Sequence, residues 1–311
     1  MKQMIKLGSE GFGSWTKTRI NGFFKVLYPN IKLVYENTNE CDVIVRSHFF
    51  DRKCAIPNGG TYYAGKIEPI WNVQERPYIY WSGESWPVLE SEYHTKYVHI
   101  KSTNEDENAV YLPYMLNSPY LTEGVKVYTN EDRNHLLAYC NSHPLDIRED
   151  VFNRFVETSG ENMCHSLGAC HGKYKDTHRK VSGVWSSKEL IRKYSDYYFV
   201  IAMENKVAPG YITEKILNAY AAGSIPIYWG APVVNEFFNK DSFVNVSDFK
   251  SIDECVDYVV NMELEKIHWM REQPIFKENS IYDDIININK NNDYYEKNAV
   301  KLVPLLEEWL V

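Results

Sequence analysis

The sequence lacks several features that would assign it to a class of protein at once. No apolar run approaches the roughly 18 residues that a membrane-spanning helix needs, and the N-terminus has no signal-peptide hydrophobic region, so we expect no transmembrane segment. A net charge of −8 leaves no general basic surface, which disfavours nucleic acid as a partner. The composition, 44% hydrophobic and 24% charged, is that of a folded globular protein.

Paired cysteines and common metal motifs are also absent. None of the six cysteines forms a C-x-x-C pair, so we expect reduced thiols and a cytoplasmic location. Cys164–His165 and Cys170–His171 leave two alternatives open, a zinc site or scattered loop residues. No Asp-x-Asp occurs, so a bound nucleotide diphosphate would need protein cations and helix termini, rather than a metal, to balance its charge.

What the sequence does contain is an alternation of strand and helix patterns. Its 311 residues suggest two domains. Short apolar runs predict strands at 3–7, 31–35, 42–47, 78–82, 135–139, 197–203 and 225–230. Helical spacing predicts helices at about 212–222, 251–263 and 294–310, the first stopped by Gly223. This alternation favours two doubly wound α/β units in series, which bind ligands outside the carboxyl ends of their strands.

A glycine-rich segment follows the first predicted strand. Gly11-Phe12-Gly13-Ser14-Trp15-Thr16 partly matches a dinucleotide fingerprint, but no acidic residue is well placed on a following strand. The alternative is a turn whose glycines let the backbone pass close to a ligand or a neighbouring loop. A nicotinamide-dependent oxidoreductase therefore remains a rival hypothesis that absence of NAD binding would exclude.

The segment 209–223 offers a place for an anion. Tyr211, Glu214 and Lys215 have the spacing of one helix face and are predicted to lie in the first turn, where free N–H groups and the helix dipole favour negative charge. Glu214 would repel a phosphate, so its sensible partner is a pair of sugar hydroxyls. The opposite face is apolar and is predicted to pack on a sheet: Ile212, Ile216 and Ala219. The alternative is an amphipathic helix with a surface Glu–Lys pair.

Two further charged residues follow predicted strands. Arg148 comes shortly after the strand at 135–139, where its guanidinium could bind a phosphate through two hydrogen bonds. The alternative is a solvated arginine in the first turn of a helix. Glu84 follows the strand at 78–82 and could act as a general base, although a surface turn glutamate is the alternative.

Over residues 197–232 the motifs occur in a specific order. An aromatic-rich strand leads to the pair Glu204–Asn205, then to Tyr-Ile-Thr-Glu-Lys at 211–215, a helix, and Pro-Ile-Tyr-Trp-Gly-Ala-Pro at 226–232. This order resembles the donor-binding signature of the α1,3/4-fucosyltransferases, glycosyltransferase family 10, and most of all its short, soluble bacterial-type members. Tyr80-Trp81-Ser82-Gly83-Glu84-Ser85 is similar to a second family element, with Ser85 where asparagine is usual.

The resemblance implies a fold and a role for each domain. The fold would be α/β, of the GT-B type, with two Rossmann-like doubly wound domains facing a cleft. Residues 1–120 would form the acceptor-side domain and residues 131–285 the domain that binds GDP-fucose. Residues 286–311 would form a C-terminal helix that packs back on the first domain.

The resemblance also implies a reaction and its residues. The protein would be an inverting fucosyltransferase that uses GDP-β-L-fucose without a metal or other cofactor, and its partner would be a glycan acceptor, with an α1,3 bond to GlcNAc of an N-acetyllactosamine-type chain. Glu84 would be the catalytic base, and Arg148, or Arg154 if the register differs, would contact the pyrophosphate. The donor ligands would be Asn205, Tyr211, Glu214 and Lys215. Another nucleotide sugar, another linkage, or a degenerate glycan-binding protein are the alternatives.

Overall fold

The computed structural model describes residues 4–10, 32–35, 41–47, 78–82, 97–101, 110–111, 114–117, 128, 133–181 and 187–278. Several sequence predictions fall outside these ranges: the catalytic base Glu84, the glycine-rich segment 11–16 and the C-terminal helix at 286–311. The described residues divide between two compact units, one within Met1–Pro113 and the other within Tyr114–Ile286.

The first unit contains a parallel sheet of six strands in the order β2-β1-β3-β4-β5-β6. The strands are β1 Met4–Glu10, β2 Lys32–Tyr35, β3 Val43–Ser47, β4 Tyr78–Ser82, β5 Tyr97–Lys101 and β6 Val110–Tyr111. Ile5 and Leu7 of β1 and Val43 of β3 are fully buried, as expected for the centre of a parallel sheet. Strand β1 continues through Gly8 to Glu10, three residues beyond the strand predicted at 3–7.

The second unit contains a parallel sheet of five strands in the order β11-β10-β9-β7-β8. The strands are β7 His135–Tyr139, β8 Cys164–Ser166, β9 Tyr197–Ile201, β10 Ile225–Tyr228 and β11 Val244–Asn245. The α-helices are α1 Asp146–Ser159, α2 Lys188–Tyr194, α3 Glu214–Ala221, α4 Val234–Phe237, α5 Ile252–Val260 and α6 Leu264–Glu272. Short 3₁₀ helices occupy Tyr114–Asn117, Lys175–Thr177, Lys240–Ser242 and Val246–Asp248.

The helices cover both faces of the second sheet. Successive side chains of a strand point to opposite faces, and in β7 the side chains of Leu137 and Tyr139 pack in the same cluster as Phe152 of α1. Ala138, between them, packs in another cluster with Leu190 of α2. The doubly wound arrangement follows from this alternation. None of the helices in the described ranges is long and apolar enough to cross a membrane.

The strand and helix predictions hold to within a few residues where the apolar pattern is strong. The helix predicted at 212–222 is observed at Glu214–Ala221, and Gly223 follows it with φ +68°, a conformation that glycine adopts without strain. The loop prediction for Cys164 and His165 is wrong, because both lie in β8. Tyr211 precedes α3 rather than lying on its first turn, since the N-cap residue is Thr213.

Candidate functional site

The candidate site lies at the carboxyl edge of the second sheet, where parallel strands deliver their following loops to one place. The chain after β7 leads into α1, and the chain after β9 runs from Ala202 to Thr213 before α3. The end of β10 holds the second segment in place, because Ala202 N donates to Ile227 O at 2.8 Å and Glu204 N donates to Trp229 O at 2.8 Å.

Arg148 joins α1 to the chain after β9. It is the third residue of α1, and only 1% of its surface is exposed, so the alternative of a solvated arginine is wrong. One terminal nitrogen, Nη2, donates to Met203 O at 2.6 Å and to Asn205 Oδ1 at 2.8 Å. Nε is buried, and no acceptor lies within hydrogen-bond reach of it in the described part of the chain. Burial lowers the pKa of Arg148, yet a guanidinium stays charged in proteins.

The guanidinium of Arg148 is buried and only partly paired within the described residues. A buried donor without a partner costs about 1–3 kcal/mol, and more when it is charged, so its presence calls for an explanation. Asn205, which shares this cation, is exposed. The pair therefore connects a buried positive charge to the protein surface at the carboxyl edge.

Glu204 is the residue of this edge that sequence reasoning missed as a functional candidate. Its side chain is fully buried, and both carboxylate oxygens have partners on the strand-to-helix loop. Oε1 accepts from Thr213 N at 2.6 Å, and Oε2 accepts from Thr213 Oγ1 at 2.7 Å and from Lys215 Nζ at 3.4 Å. The signal in the sequence was an acidic residue directly after an entirely apolar strand.

Lys215 lies between two carboxylates. Its Nζ donates to Thr213 Oγ1 at 2.9 Å and forms ion pairs with Glu204 at 3.4 Å and Glu214 at 3.9 Å. The Lys215 side chain is 20% exposed, whereas Glu214 as a residue is 7% exposed. The alternative of a surface Glu–Lys pair is therefore wrong, because the pair is largely enclosed and extends to Glu204.

The remaining predicted donor ligand, Tyr211, is buried as well. Only 1% of its surface is exposed, and the three apolar positions predicted to pack on the sheet, Ile212, Ile216 and Ala219, are fully buried. Tyr211 N donates to Ala208 O at 3.0 Å, which closes a turn two residues before Thr213. Tyr211 thus belongs to the loop that carries Asn205 at one end and Lys215 at the other.

The chain after β8 is fixed to α1 at the same edge. Glu149 accepts from Tyr139 Oη and, at 2.6 Å, from Gly172 N. Asn153 Oδ1 accepts from Lys173 N at 2.8 Å, and a Cβ on Gly172 would collide with that oxygen. Glu149 and Asn153, which lie within two turns of Arg148 on α1, therefore hold this loop, for which the sequence had suggested only a zinc site.

The zinc alternative has no geometric support. Cys164 and His165 are buried in β8, where His165 Nδ1 lies 3.0 Å from Tyr197 Oη. Within the described ranges, no three His, Cys, Asp or Glu side chains are grouped to hold a metal ion. The five cysteines that the structure describes, Cys41, Cys140, Cys164, Cys170 and Cys255, are free thiols.

Arg154, the alternative to Arg148, has a different environment. Its Nε forms an ion pair at 2.7 Å with Asp253 of α5, and its side chain is 36% exposed. Arg148, by contrast, reaches Asn205. The structure therefore favours Arg148 as the arginine of the carboxyl edge. Asn205, its partner, and Tyr211 lie in the loop between β9 and α3, and Glu214 and Lys215 begin α3.

Comparisons with known proteins are consistent with this geometry. Residues 132–272 match the family model described as glycosyltransferase family 10 (fucosyltransferase) C-term. The chain is similar to the α-(1,3)-fucosyltransferase FucT of Helicobacter pylori, with 38% identity over 104 residues, 33% of this chain and 20% of that protein. It is also similar to 4-galactosyl-N-acetylglucosaminide 3-α-L-fucosyltransferase 9 of Bos taurus, with 26% identity over 72% of this chain and 62% of that protein.

The matched regions thus span less than two thirds of either relative. Among solved structures, an α1,3-fucosyltransferase superposes with a TM-score of 0.63 at 18% identity, covering 95% of this chain and 92% of that one. A second crystal structure, of an α1,3-fucosyltransferase with GDP-fucose, gives a TM-score of 0.60 at 17% identity over 95% and 92% of the two chains. The predicted fold, GT-B with two Rossmann-like α/β units, is confirmed.

Proposed function

We propose that this chain, whose residues 132–272 match the model of glycosyltransferase family 10, transfers L-fucose from GDP-β-L-fucose to a glycan hydroxyl with inversion. One observation carries the proposal. Arg148 donates a hydrogen bond to Asn205, and Lys215 donates one to the preceding residue, Glu204. Two adjacent residues of the segment that follows β9 therefore hold both cations. Such an arrangement suits the diphosphate of a nucleotide sugar.

The two cations would act on the leaving group. As the bond from the anomeric carbon to the diphosphate breaks, negative charge grows on the departing oxygens. Preorganised donors stabilise such charge because they need not reorient during the reaction. Arg148 supplies a guanidinium that Met203 O and Asn205 Oδ1 hold in position. Lys215 supplies an ammonium group, fixed by Thr213 Oγ1, at the start of α3, where the helix dipole adds to its effect.

The other residues of the loop would bind the neutral parts of the donor. Glu214 carries a carboxylate beside Lys215, and its partner would be a pair of sugar hydroxyls, because a carboxylate repels phosphate. Tyr211 and Asn205 would shape the donor pocket. Glu204 would be a positioning residue, since its carboxylate contacts Thr213 and Lys215 and its side chain is fully buried.

The acceptor side depends on Glu84, which lies outside the described residues. As a general base, Glu84 would take the proton of the acceptor hydroxyl while that oxygen attacks the anomeric carbon from the face opposite the diphosphate. A single displacement needs only one such carboxylate. The bovine relative is a 4-galactosyl-N-acetylglucosaminide 3-α-L-fucosyltransferase, which supports an N-acetyllactosamine-type acceptor and an α1,3 bond to GlcNAc.

Neither a metal nor a cofactor is part of the proposed reaction. The sequence contains no Asp-x-Asp, and protein cations would take the place of a bridging metal ion. We expect the transfer rate to be unchanged by EDTA, and a loss restored by Mg²⁺ or Mn²⁺ would contradict this. A cytoplasmic location stays a prediction, which the free thiols of the described cysteines support.

The direct test is to incubate the protein with GDP-fucose and an array of acceptors, then to identify products by mass spectrometry and linkage analysis. The same assay with other nucleotide sugars tests the alternative donors. Glu84→Gln should keep GDP-fucose binding and lose transfer on the order of 10²-fold or more. Full activity of Glu84→Gln would remove it as the base, and the absence of both transfer and donor hydrolysis by the unmodified chain would favour a non-catalytic glycan-binding protein.

A further inference from the structure

We propose that the second unit carries a separate carbohydrate-binding site beside β11, the edge strand of its sheet. A cavity of about 150 Å³ opens there. It is lined by residues around the two 3₁₀ helices that flank β11, and by residues of α5 and α6. Typical pockets for drug-sized ligands measure about 300–1,000 Å³, so this cavity suits one sugar ring and is too small for a nucleotide.

Aromatic rings form part of the wall of this cavity. Phe249 and Tyr258 lie with ring centroids 5.3 Å apart and planes inclined by 44°. Trp269 is 39% exposed and Tyr258 45% exposed, and Lys266 Nζ lies 3.5 Å from the centroid of the Trp269 ring. The face of an aromatic ring carries partial negative charge. Such a face packs favourably against the partly positive C–H groups on one face of a pyranose. Because Lys266 Nζ already covers one face of the Trp269 ring, the exposed Tyr258 ring is the surface offered to the sugar, and Trp269 lines the same cavity.

Polar side chains with unused hydrogen-bonding capacity surround these rings. Within the described part of the chain, Lys240, Asp241 and Asp248 line the cavity, and their side chains have neither a hydrogen-bond nor an ion-pair partner. They can donate to and accept from hydroxyl groups. Aromatic faces beside unpaired donors and acceptors match a ligand that has apolar faces and a polar rim, as a sugar ring has.

The charge of the lining favours a neutral ligand. The lining includes two cationic residues, Lys240 and Lys266, and two anionic ones, Asp241 and Asp248. An anionic ligand such as a phosphate would be repelled by the two carboxylates, and a cationic ligand by the two ammonium groups. A neutral glycan meets neither penalty.

This cavity is distinct from the proposed donor site. None of the residues assigned to the donor lines it, and β10 separates β11 from β9, whose following loop carries the donor residues. Its role would be to hold a sugar ring of a carbohydrate chain away from the reacting hydroxyl, which raises the local concentration of that chain. Because the site is argued from its own lining, its test needs no transfer reaction.

The test uses the full chain labelled with fluorotryptophan and read by ¹⁹F NMR. The Trp269 signal is assigned by its loss in Trp269→Phe, and N-acetyllactosamine is the probe. We expect a saturable shift of the Trp269 signal with N-acetyllactosamine and none with GDP or glycerol. Asp248→Asn should weaken this response several-fold. Leu264→Ala is the matched control, because Leu264 is 54% exposed on the same helix and does not line the cavity.

The outcomes separate the proposal from its rivals. A Trp269 signal that does not move up to about 50 mM sugar, well above a millimolar dissociation constant, overturns it. So does an equal shift with glycerol, or a shift confined to other tryptophans. If Trp269→Phe were to disturb the fold, the titrations of Asp248→Asn and Leu264→Ala would decide, since a true site loses affinity only in the first.

Discussion

Glu204→Gln is the substitution that tests the architecture of the donor site most directly. It keeps the size of the side chain and removes one charge. In the native protein the two oxygens of Glu204 accept three hydrogen bonds, from Thr213 N, Thr213 Oγ1 and Lys215 Nζ. A glutamine presents one oxygen and one NH₂ group, so at least one of these donors must face another donor.

The expected loss of stability follows from burial. Leaving a buried donor unsatisfied costs about 1–3 kcal/mol, and removing one partner of a fully buried ion pair costs about 3–5 kcal/mol. Lys215 is 20% exposed and 3.4 Å from Glu204, so water can partly replace the lost partner. We therefore expect a decrease in the free energy of unfolding of about 2–3 kcal/mol, measured by urea denaturation.

Donor affinity separates two effects of opposite sign. Removing the carboxylate makes the site more positive, which would strengthen GDP binding. Releasing Lys215 and Thr213 from their fixed positions would weaken it by the value of a charge-assisted hydrogen bond, about 1.5–3 kcal/mol, or roughly tenfold to hundredfold in Kd. We expect the second effect to dominate, because Lys215 is 20% exposed and water at its ammonium group screens the change in charge.

Thr213→Val is the matched variant for this comparison. It removes the hydroxyl that contacts both Glu204 and Lys215 at 2.7 and 2.9 Å and leaves every charge in place. Calorimetry should show weaker GDP binding in both Glu204→Gln and Thr213→Val, with affinity restored in Thr213→Ser. Tighter or unchanged GDP binding in Glu204→Gln would refute the positioning role, because charge alone would then govern affinity.

Three other predictions concern the same unit. Lys215→Ala should weaken GDP affinity on calorimetry, about tenfold or more; unchanged affinity would remove Lys215 from the donor site. Gly230→Ala should destabilise the protein by about 1–3 kcal/mol in urea, because its Cβ would lie 2.8 Å from Glu204 Cγ and closer still to Tyr228 Oη. Burial lowers the pKa of His165 to about 4, and the charge of His135 adds to this effect. The unfolded chain takes up a proton at His165 near the usual pKa of about 6.5, whereas the folded protein does so only near 4. The free energy of unfolding should therefore be unaffected by His165 above pH 6.5 and should fall by about 2–3 kcal/mol as the pH is lowered to 4; equal stability at pH 7 and pH 5 would contradict this.

Sequence reasoning succeeded where structure is encoded locally. The strands at His135–Tyr139 and Tyr197–Ile201 and the helix Glu214–Ala221 carry strong apolar periodicity, and Gly223 marks the end of that helix. These features need only neighbours within a few residues. The bounds of the helix Asp146–Ser159 were not predicted, because most of its residues are polar and the apolar residues that pack on the sheet give only a weak helical pattern.

The candidate site shows where local reasoning stopped. Arg148 looked like either a phosphate ligand or a solvated arginine, and its partners, Met203 and Asn205, come 55 and 57 residues later in the chain. Tyr211 was placed on the helix face, although the helix begins only after Thr213. Spacing alone could not show that Lys215 has a second carboxylate partner in Glu204.

The sequence by itself determined the alternation of strands and helices, the order of the motifs and the residue types available to bind a charged donor. Only the tertiary structure decided which of those residues meet and which are enclosed. The physical reason is the parallel sheet, which brings the loops after β7, β8 and β9 to one edge although the strands are far apart in sequence. Enclosure there removes water, so Arg148 and Glu204 must find partners in the protein or its ligand, and those partners define the site.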